Sequence, residues 1–403
     1  MVAHTLVQVN RLWRDIAEQF LYSAFYFGKE EWRVQRFIDT IKSKPNLAGQ
    51  LRTLGIMPCI HDRTVAERRF RPLFEQVLSH CHGIAAIMVY SHSLEASLPL
   101  LQSPESGRRL LLLSACNQKG EEFSTFVRNF DQYANLQVLE LSMSWHHSDL
   151  HFSEAGAGRS FPALISFPSL HTLLLGDLDW YAYDVVLQWE LPSLRELGLY
   201  MSDTERVEFS PIIWKSYQRL TFLDVSVHML NYSCFHDITQ APTHLKNVTL
   251  RMTEASSSPP THPGIKIFFH NVVTLGICNL TVIRMENKPL WLDFVSDPTN
   301  MPHLHSVLTD MPLDSYFGYL EHPSSPVIDF LHSLDAELSS RGVVFKGVMG
   351  DHSSFYFFNE TPTRSVCPCF VVDWCSSPYQ RPSEGHQSNT NFYIKYISDV
   401  NVL

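Results

Sequence analysis

Cysteine and histidine side chains near the C-terminus are the first candidates for chemistry in this sequence. Cys367, Cys369, Cys375 and His386 together offer four ligands of the types that zinc accepts. Zinc sites usually draw their ligands from closely spaced pairs, and this spacing matches none of the common patterns. We therefore expect exposed, reduced thiols here and predict no metal site.

Histidines form two further groups. His303 and His305 lie at i and i+2 and would share one face of a strand, but no third ligand accompanies them. We predict that they are polar residues on a sheet face. His146, His147 and His151 fall in a predicted loop, where a solvated loop is the simplest interpretation. If the cluster served a hydrolase, changing any of the three to alanine would abolish activity.

Motifs for nucleophilic catalysis or phosphate binding are missing from the sequence. There is no Gly-x-Ser-x-Gly segment and no glycine loop of the phosphate-cradling kind. The glycine-rich AGAGRS at 155–160 follows no suitable strand and is predicted to be an insertion loop. We predict a protein that is not an enzyme and has no cofactor.

Composition narrows the class of protein and of partner. The 403 residues are 45% hydrophobic and 18% charged, which is enough apolar material for a sizeable core. The formal charge of -10 argues against nucleic acid as the main partner, because phosphate binding needs a basic face. We find neither a signal-peptide pattern nor an apolar run of about 18 residues. Eight scattered cysteines fit reduced thiols, so we expect the cytoplasm or nucleus and no membrane.

Six-residue segments of the type Leu-x-x-Leu-x-Leu must position whatever surface this chain presents. LHTLLL and LRELGL, which begin 24 residues apart, are the most regular pair. The whole series begins at Leu51, Ile84, Leu110, Leu136, Leu170, Leu194, Leu220, Leu245, Val272 and Leu304. Most steps are close to 26 residues, the length of a strand plus a helix in leucine-rich repeats. We predict an α/β leucine-rich-repeat solenoid of about ten irregular repeats, with a curved parallel sheet and outer helices.

Helices are predicted where apolar residues recur at intervals of three and four. The first covers 5–20 and buries Leu6, Val9, Trp13, Ile16 and Phe20. A second, ended by Pro45, buries Val34, Phe37, Ile38 and Ile41, and others are predicted over 70–81, 122–133 and within the last repeat. We therefore divide the chain into a helical N-terminal cap (1–45), the repeats (46–350) and an irregular or disordered tail (351–403).

The segment LVQVNRLWRDIAEQFLYSAFYF places a Val-x-x-x-Trp-Arg-x-Ile pattern before an apolar Leu-Tyr pair. It resembles the second half of an F-box, and the matching residues are Val9, Trp13, Arg14, Ile16, Leu21 and Tyr22. The following RFIDTIKSKPNLAGQLRTLGI is similar to the helix and first strand that join the F-box to the repeats in fungal-type F-box and leucine-rich-repeat proteins. The opening F-box helix is missing, so we expect an F-box truncated at its N-terminus.

This resemblance implies a substrate-recognition subunit of a cullin-type (SCF) ubiquitin ligase. Val9, Trp13 and Ile16 would then face the ligase adaptor, and the concave face of the repeats would capture a protein target. The alternative is a leucine-rich-repeat scaffold that no longer binds the adaptor. In that protein the same three residues would only seal the first repeat.

Partner contacts are expected on the side chains that lie between the leucines. Because side chains alternate along a strand, these residues face the concave side while the leucines face inward. The candidate partner-binding residues are Tyr90, Leu174, Tyr200, Phe222, Asp224 and Arg251. Coverage of the same positions by helices, tail or neighbouring side chains is the equally consistent alternative.

Overall fold

The structure is a computed structural model of the whole chain. It describes residues 18, 20–27, 31–56, 63–89, 108–118, 133–143, 165–176, 185–200, 215–230, 240–252, 258–260, 263–278, 283–309 and 326–347. The chain divides into two compact units, unit 1 (Met1–Leu220) and unit 2 (Thr221–Leu403). Each unit contains its own set of parallel strands.

Unit 1 has a sheet of strands that lie side by side in chain order. These are β1 (Ala24–Phe27), β2 (Thr53–Ile56), β3 (Ala86–Val89), β4 (Leu112–Gln118), β5 (Val138–Met143), β7 (Thr172–Gly176) and β9 (Glu196–Tyr200). All neighbours pair in parallel. Two shorter strands, β6 (Ile165–Ser166) and β8 (Trp189–Glu190), pair with each other. The described helices are α1 (Glu31–Ser43), α2 (Pro45–Ala48) and α3 (Arg63–His80).

Unit 2 repeats this arrangement with five described strands in chain order. They are β10 (Phe222–Ser226), β11 (Asn247–Arg251), β12 (Thr274–Cys278), β13 (Ser306–Thr309) and β14 (Val344–Gly347), all parallel. Its described α-helices are α4 (Val227–Leu230), α5 (Pro263–Phe268), α6 (Lys288–Ser296) and α7 (Pro326–Ser340). The predicted α/β class with a parallel sheet is therefore confirmed.

The same backbone hydrogen-bond pattern joins the start of one strand to the start of the next. The carbonyl oxygen of Ala85 accepts hydrogen bonds from the N–H groups of Leu111 and Leu112, at 2.7 and 3.1 Å. The carbonyl of Leu111 then accepts from Gln137 and Val138, at 2.8 and 3.0 Å. The same two-donor acceptor recurs at Ser23, Arg52, Gln137 and His171 in unit 1 and at Thr221, Lys246 and Val273 in unit 2. The starts of neighbouring strands are therefore aligned in register.

The leucines that revealed the period form the core. Leu170, Leu173, Leu175, Leu194, Leu197 and Leu199 are all 0% exposed. The alternation of strand side chains carries these leucines to the same face in every strand, where they stack. Burial of this apolar column is the main stabilising contribution that the repeats make.

Helix α1 agrees with its predicted inner face, since Val34, Phe37, Ile38 and Ile41 are buried. The range 1–45 is not wholly helical, however, because β1 lies within it and pairs with β2. The described end of the first helix also differs from the expectation. Phe20, predicted to point inward, is 63% exposed and closes a turn in which its carbonyl accepts a 2.7 Å hydrogen bond from the Ser23 hydroxyl.

The remaining predicted helices have mixed outcomes. Helix α3 begins at Arg63, earlier than expected, and buries Leu73, Phe74 and Val77. Helix α7 buries Phe330, Leu331, Leu334 and Leu338 as predicted. The predicted helix over 122–133 lies almost entirely outside the described residues, and so do the tail 351–403 and most of the first helix.

Lys288 is a buried cation at the start of α6. It is 7% exposed, and its ammonium lies 5.7 Å from the centroid of the Phe330 ring on α7. Burial lowers the pKa of Lys288 below its ordinary value of 10.5, and the nearby Asp329 carboxylate offsets part of that shift. In the alkaline range below pH 10.5, Lys288 therefore binds fewer protons in the folded protein than in the unfolded chain. The contribution of Lys288 to the free energy of unfolding rises with pH in the alkaline window below 10.5.

We expect Lys288→Met to raise the urea midpoint at neutral pH, because methionine removes the desolvation cost and keeps the apolar volume. The variant should also lack the pH-dependent contribution of Lys288, so its advantage in midpoint over the wild type should shrink between neutral pH and about pH 9.5. Lys266→Met, at a side chain 53% exposed on α5, is the matched control and should change neither. A lower midpoint in Lys288→Met would mean that Asp329 and the Phe330 ring outweigh burial.

Candidate interaction surface

The strand side chains opposite the leucines form a second sheet face in each unit, which we call the non-leucine face. The register of the strands aligns these side chains in rows across neighbouring strands. In unit 1 the rows contain Thr53, Gly55, Ala86, Met88, Leu112, Ser114, Val138, Glu140, Thr172, Leu174, Glu196 and Gly198. In unit 2 they contain Phe222, Asp224, Ser226, Asn247, Thr249, Arg251, Thr274, Gly276, Cys278, Ser306, Leu308, Val344 and Lys346.

Hydroxyl groups hold both glutamates on the non-leucine face of unit 1. The Ser114 hydroxyl donates to Oε2 of Glu140 at 2.5 Å, across the β4–β5 pair. The Thr172 hydroxyl donates to Oε2 of Glu196 at 2.7 Å, across the β7–β9 pair. Nδ1 of His171 lies 2.9 Å from the same Thr172 oxygen. The Thr172 hydroxyl therefore contacts both a carboxylate and an imidazole nitrogen.

An ion pair occupies the non-leucine face of unit 2. Nε of Arg251 donates to Oδ1 of Asp224 at 2.9 Å, and Nη2 donates to Oδ2 at 3.2 Å. The Asp224 side chain is 0% exposed, whereas that of Arg251 is 20% exposed. The two parallel hydrogen bonds fix the guanidinium plane against the carboxylate. The pair therefore presents a positioned arginine to solvent and keeps its counter-charge inside.

The structure places the predicted partner-binding residues at different depths. Leu174 and Phe222 are buried, at 8% and 5% exposure, and Asp224 is fully buried. Arg251 retains exposed surface, so a partner on this face would meet it before it met Asp224. Tyr200 ends β9, and its side chain lies outside the described part, as does Tyr90. The adaptor-facing candidates Val9, Trp13 and Ile16 also lie outside the described residues.

Sequence reasoning named Asp224 and Arg251 separately and did not foresee their contact. It also missed Thr249, which is 0% exposed, and whose hydroxyl has no hydrogen-bond partner within the described part of the chain. A Cβ added to Gly276 on the next strand would lie 2.7 Å from that hydroxyl oxygen. A signal existed in the sequence, because LRTLGI, LRELGL and VVTLGI all carry glycine at the fifth position. A glycine in a strand often marks a close approach by another group.

The groups predicted to be weak metal candidates also have defined positions where the structure describes them. His303 and His305 both precede β13, and the His303 ring packs edge-on against His270 with centroids 5.6 Å apart. Among the described residues there is no group of three or more His, Cys, Asp or Glu side chains arranged to hold a metal ion. The cysteines and histidine at 367–386 and the histidines at 146–151 lie outside the described residues.

Two cysteines have described side chains. Cys81 and Cys278 are both buried and not paired in a disulfide. Burial raises the pKa of the Cys81 thiol to about 12, so it stays protonated and unreactive at neutral pH. Within the described part of the chain, no helix is long and apolar enough to span a bilayer.

No protein-family model matches the sequence, and no curated protein matches it. The functional interpretation therefore depends on the chain's own residues and their arrangement.

Proposed function

We propose that this chain is a non-enzymatic protein-interaction module built as a leucine-rich-repeat solenoid of about ten irregular repeats. The observation that carries the proposal is the set of cross-strand polar pairs on the non-leucine faces, Ser114–Glu140, Thr172–Glu196 and Arg251–Asp224. Each pair fixes a charged side chain before any partner arrives. Preorganised polar side chains lose little conformational entropy on binding, which favours recognition of a protein surface.

Within this class, we propose a substrate-recognition subunit of a cullin-type ubiquitin ligase acting in the cytoplasm or nucleus. The support is the resemblance of the segment with Val9, Trp13 and Ile16 to the second half of an F-box. The segment after it matters too, since α1 packs its buried face beside β1 and the repeats begin directly at β2. Phe37 of α1 stacks on Phe25 of β1, with ring centroids 3.9 Å apart. An adaptor bound to the N-terminal segment would thus be held close to the first repeat.

A pull-down of the purified full chain with the adaptor subunit of a cullin ligase tests this proposal. We expect binding, and we expect Trp13→Ala to abolish it. Trp32→Ala is the matched control, because Trp32 is 59% exposed at the start of α1 and lies outside the F-box-like pattern. Failure of the full chain to bind the adaptor would reject the ligase assignment and favour the alternative, a repeat scaffold that binds only its partner.

A further inference from the structure

Strand β14 ends the sheet of unit 2, and only one of its edges is paired. Its neighbour is β13, and no other described strand lies beside it. The N–H of Val344 donates to the carbonyl of His305 at 2.9 Å, so the backbone groups of Val344 face β13. Because these groups alternate in direction along a strand, the N–H and C=O of Phe345 face the open edge. An open edge of this kind is a template for a further strand.

The side chains of β14 are also less covered than those of the strands before it. Phe345 is partly exposed, although it stands at the inward, fourth position of its six-residue segment. Val344 is 49% exposed, and Lys346 is exposed too. The inward residues at the fourth position of the preceding strands of unit 2 are all 0% exposed: Leu223, Val248, Leu275 and Val307. Phe345 therefore has apolar surface that one more repeat would cover, as the terminal repeats of solenoids require.

The carbonyl of Val343 is the next acceptor in the series that joins the strands. The carbonyls of Lys246 and Val273 each accept two N–H groups from the strand that follows. Both residues stand at the second position of their six-residue segments, and Val343 has that position in GVVFKG, the segment of β14. A further strand would offer the Val343 carbonyl the N–H groups of its own second and third residues.

The sequence supplies a matching segment one period later. CFVVDW, at 369–374 and outside the described residues, has Phe370 at its second position, 27 residues after Val343. Most steps between the earlier segments are close to 26 residues. The first, fourth and sixth positions, which hold leucine in the most regular repeats, are apolar here as well: Cys369, Val372 and Trp374.

The length of the connection favours this segment over the nearer apolar run. A return to a parallel strand needs a connection of about a dozen residues or more. Residues 348–368 provide that length for CFVVDW, whereas FYFF at 355–358 follows β14 too closely.

We propose that CFVVDW (369–374) adds a further parallel strand to the open edge of β14 and caps the repeats. In the register that the acceptor series sets, Asp373 lies directly opposite Lys346, and Val371 covers the exposed Val344. Opposite charges and apolar side chains at directly facing positions both stabilise a strand pair. Part of the predicted irregular tail thus closes the edge of the sheet to a second copy of the chain or to a foreign strand. The proposal goes beyond the interaction function and involves no ligase adaptor.

Hydrogen exchange of the full chain, resolved to single residues by mass spectrometry, tests the proposal at the Phe345 amide. We expect this N–H to exchange slowly, because the added strand accepts its hydrogen bond. Val372→Asp places a charge on the inward face and should speed exchange at Phe345 by about tenfold or more. Phe370→Lys is the matched control and should leave exchange unchanged, because the second position holds exposed residues such as Lys246 in the described strands.

A charge swap tests the register directly. Asp373→Lys sets two cations opposite each other and should speed exchange at Phe345 about fivefold. Adding Lys346→Asp restores opposite charges and should restore slow exchange. Because these side chains are not on the inward face, the swap decides the matter even where Val372→Asp unfolds unit 2.

Fast exchange at Phe345 in the wild-type chain would overturn the proposal, and so would a charge swap without rescue. Protection that rises with protein concentration and survives Val372→Asp would also overturn it, since a second copy of the chain would then occupy the edge. The exchange experiment contains no adaptor, so its failure is distinguishable from failure of the adaptor pull-down.

Discussion

Replacing Arg251 with methionine is expected to lower the free energy of unfolding by about 3–5 kcal/mol. The change removes the guanidinium that donates two hydrogen bonds to Asp224, and it takes that positive charge away from a carboxylate with 0% exposure. A charge that is buried in this way cannot recover its hydration without local unfolding. Urea unfolding followed by circular dichroism would measure the loss.

Two further variants make that experiment decisive. Replacing both partners, Asp224→Leu with Arg251→Met, should recover most of the loss, because an apolar pair leaves no charge to desolvate. Arg284→Met is the matched surface control. Nη1 of Arg284 lies 3.9 Å from Oε1 of Glu286, and both side chains are largely exposed. Surface pairs contribute about 0–1 kcal/mol, so this control should unfold almost as the wild type does. Equal losses at Arg251 and Arg284 would contradict the buried-pair argument.

The second large effect is expected in the leucine column of unit 1. Leu197→Ala should lower the free energy of unfolding by about 2–5 kcal/mol, because it deletes a 0% exposed side chain from the packed interior and leaves a cavity. The denaturant midpoint measures this change directly. Leu111→Ala removes the same atoms from a side chain that is 40% exposed, and it should cost far less. A small loss at Leu197 would show that the core can collapse around the missing side chain.

The fold was largely predictable because its signal is periodic. Leucines at the first, fourth and sixth positions predicted short strands, and steps near 26 residues predicted their parallel order. β7 and β9 indeed follow Leu170 and Leu194. β1 was missed because a single run such as AFYF carries no period of its own, and a short apolar run fits a strand or a helix equally well. The two-residue strands β6 and β8 are too short to leave any pattern.

The candidate site was predictable only in part. Alternation placed Asp224 and Arg251 on the correct sheet face, because alternation depends on local geometry alone. Their pairing depends on the register between β10 and β11, and their burial depends on the side chains around them. The special position of Thr249 could not be predicted from the sequence for a related reason. A threonine in a strand is ordinary, and only the three-dimensional neighbourhood reveals that its hydroxyl has no described partner.

The carbonyl groups that accept two N–H groups also imply that one strand-to-strand repeat can be deleted from the chain. The carbonyl of Gln137 receives His171 and Thr172, and that of His171 receives Arg195 and Glu196 in the same way. Removing residues 171–194 would join Leu170 to Arg195 and offer Gln137 an equivalent pair of donors. The steps on either side would keep their register, because the sheet fixes where each strand begins and leaves the length of the connection free. The protein could therefore be shortened by one whole strand-to-strand repeat.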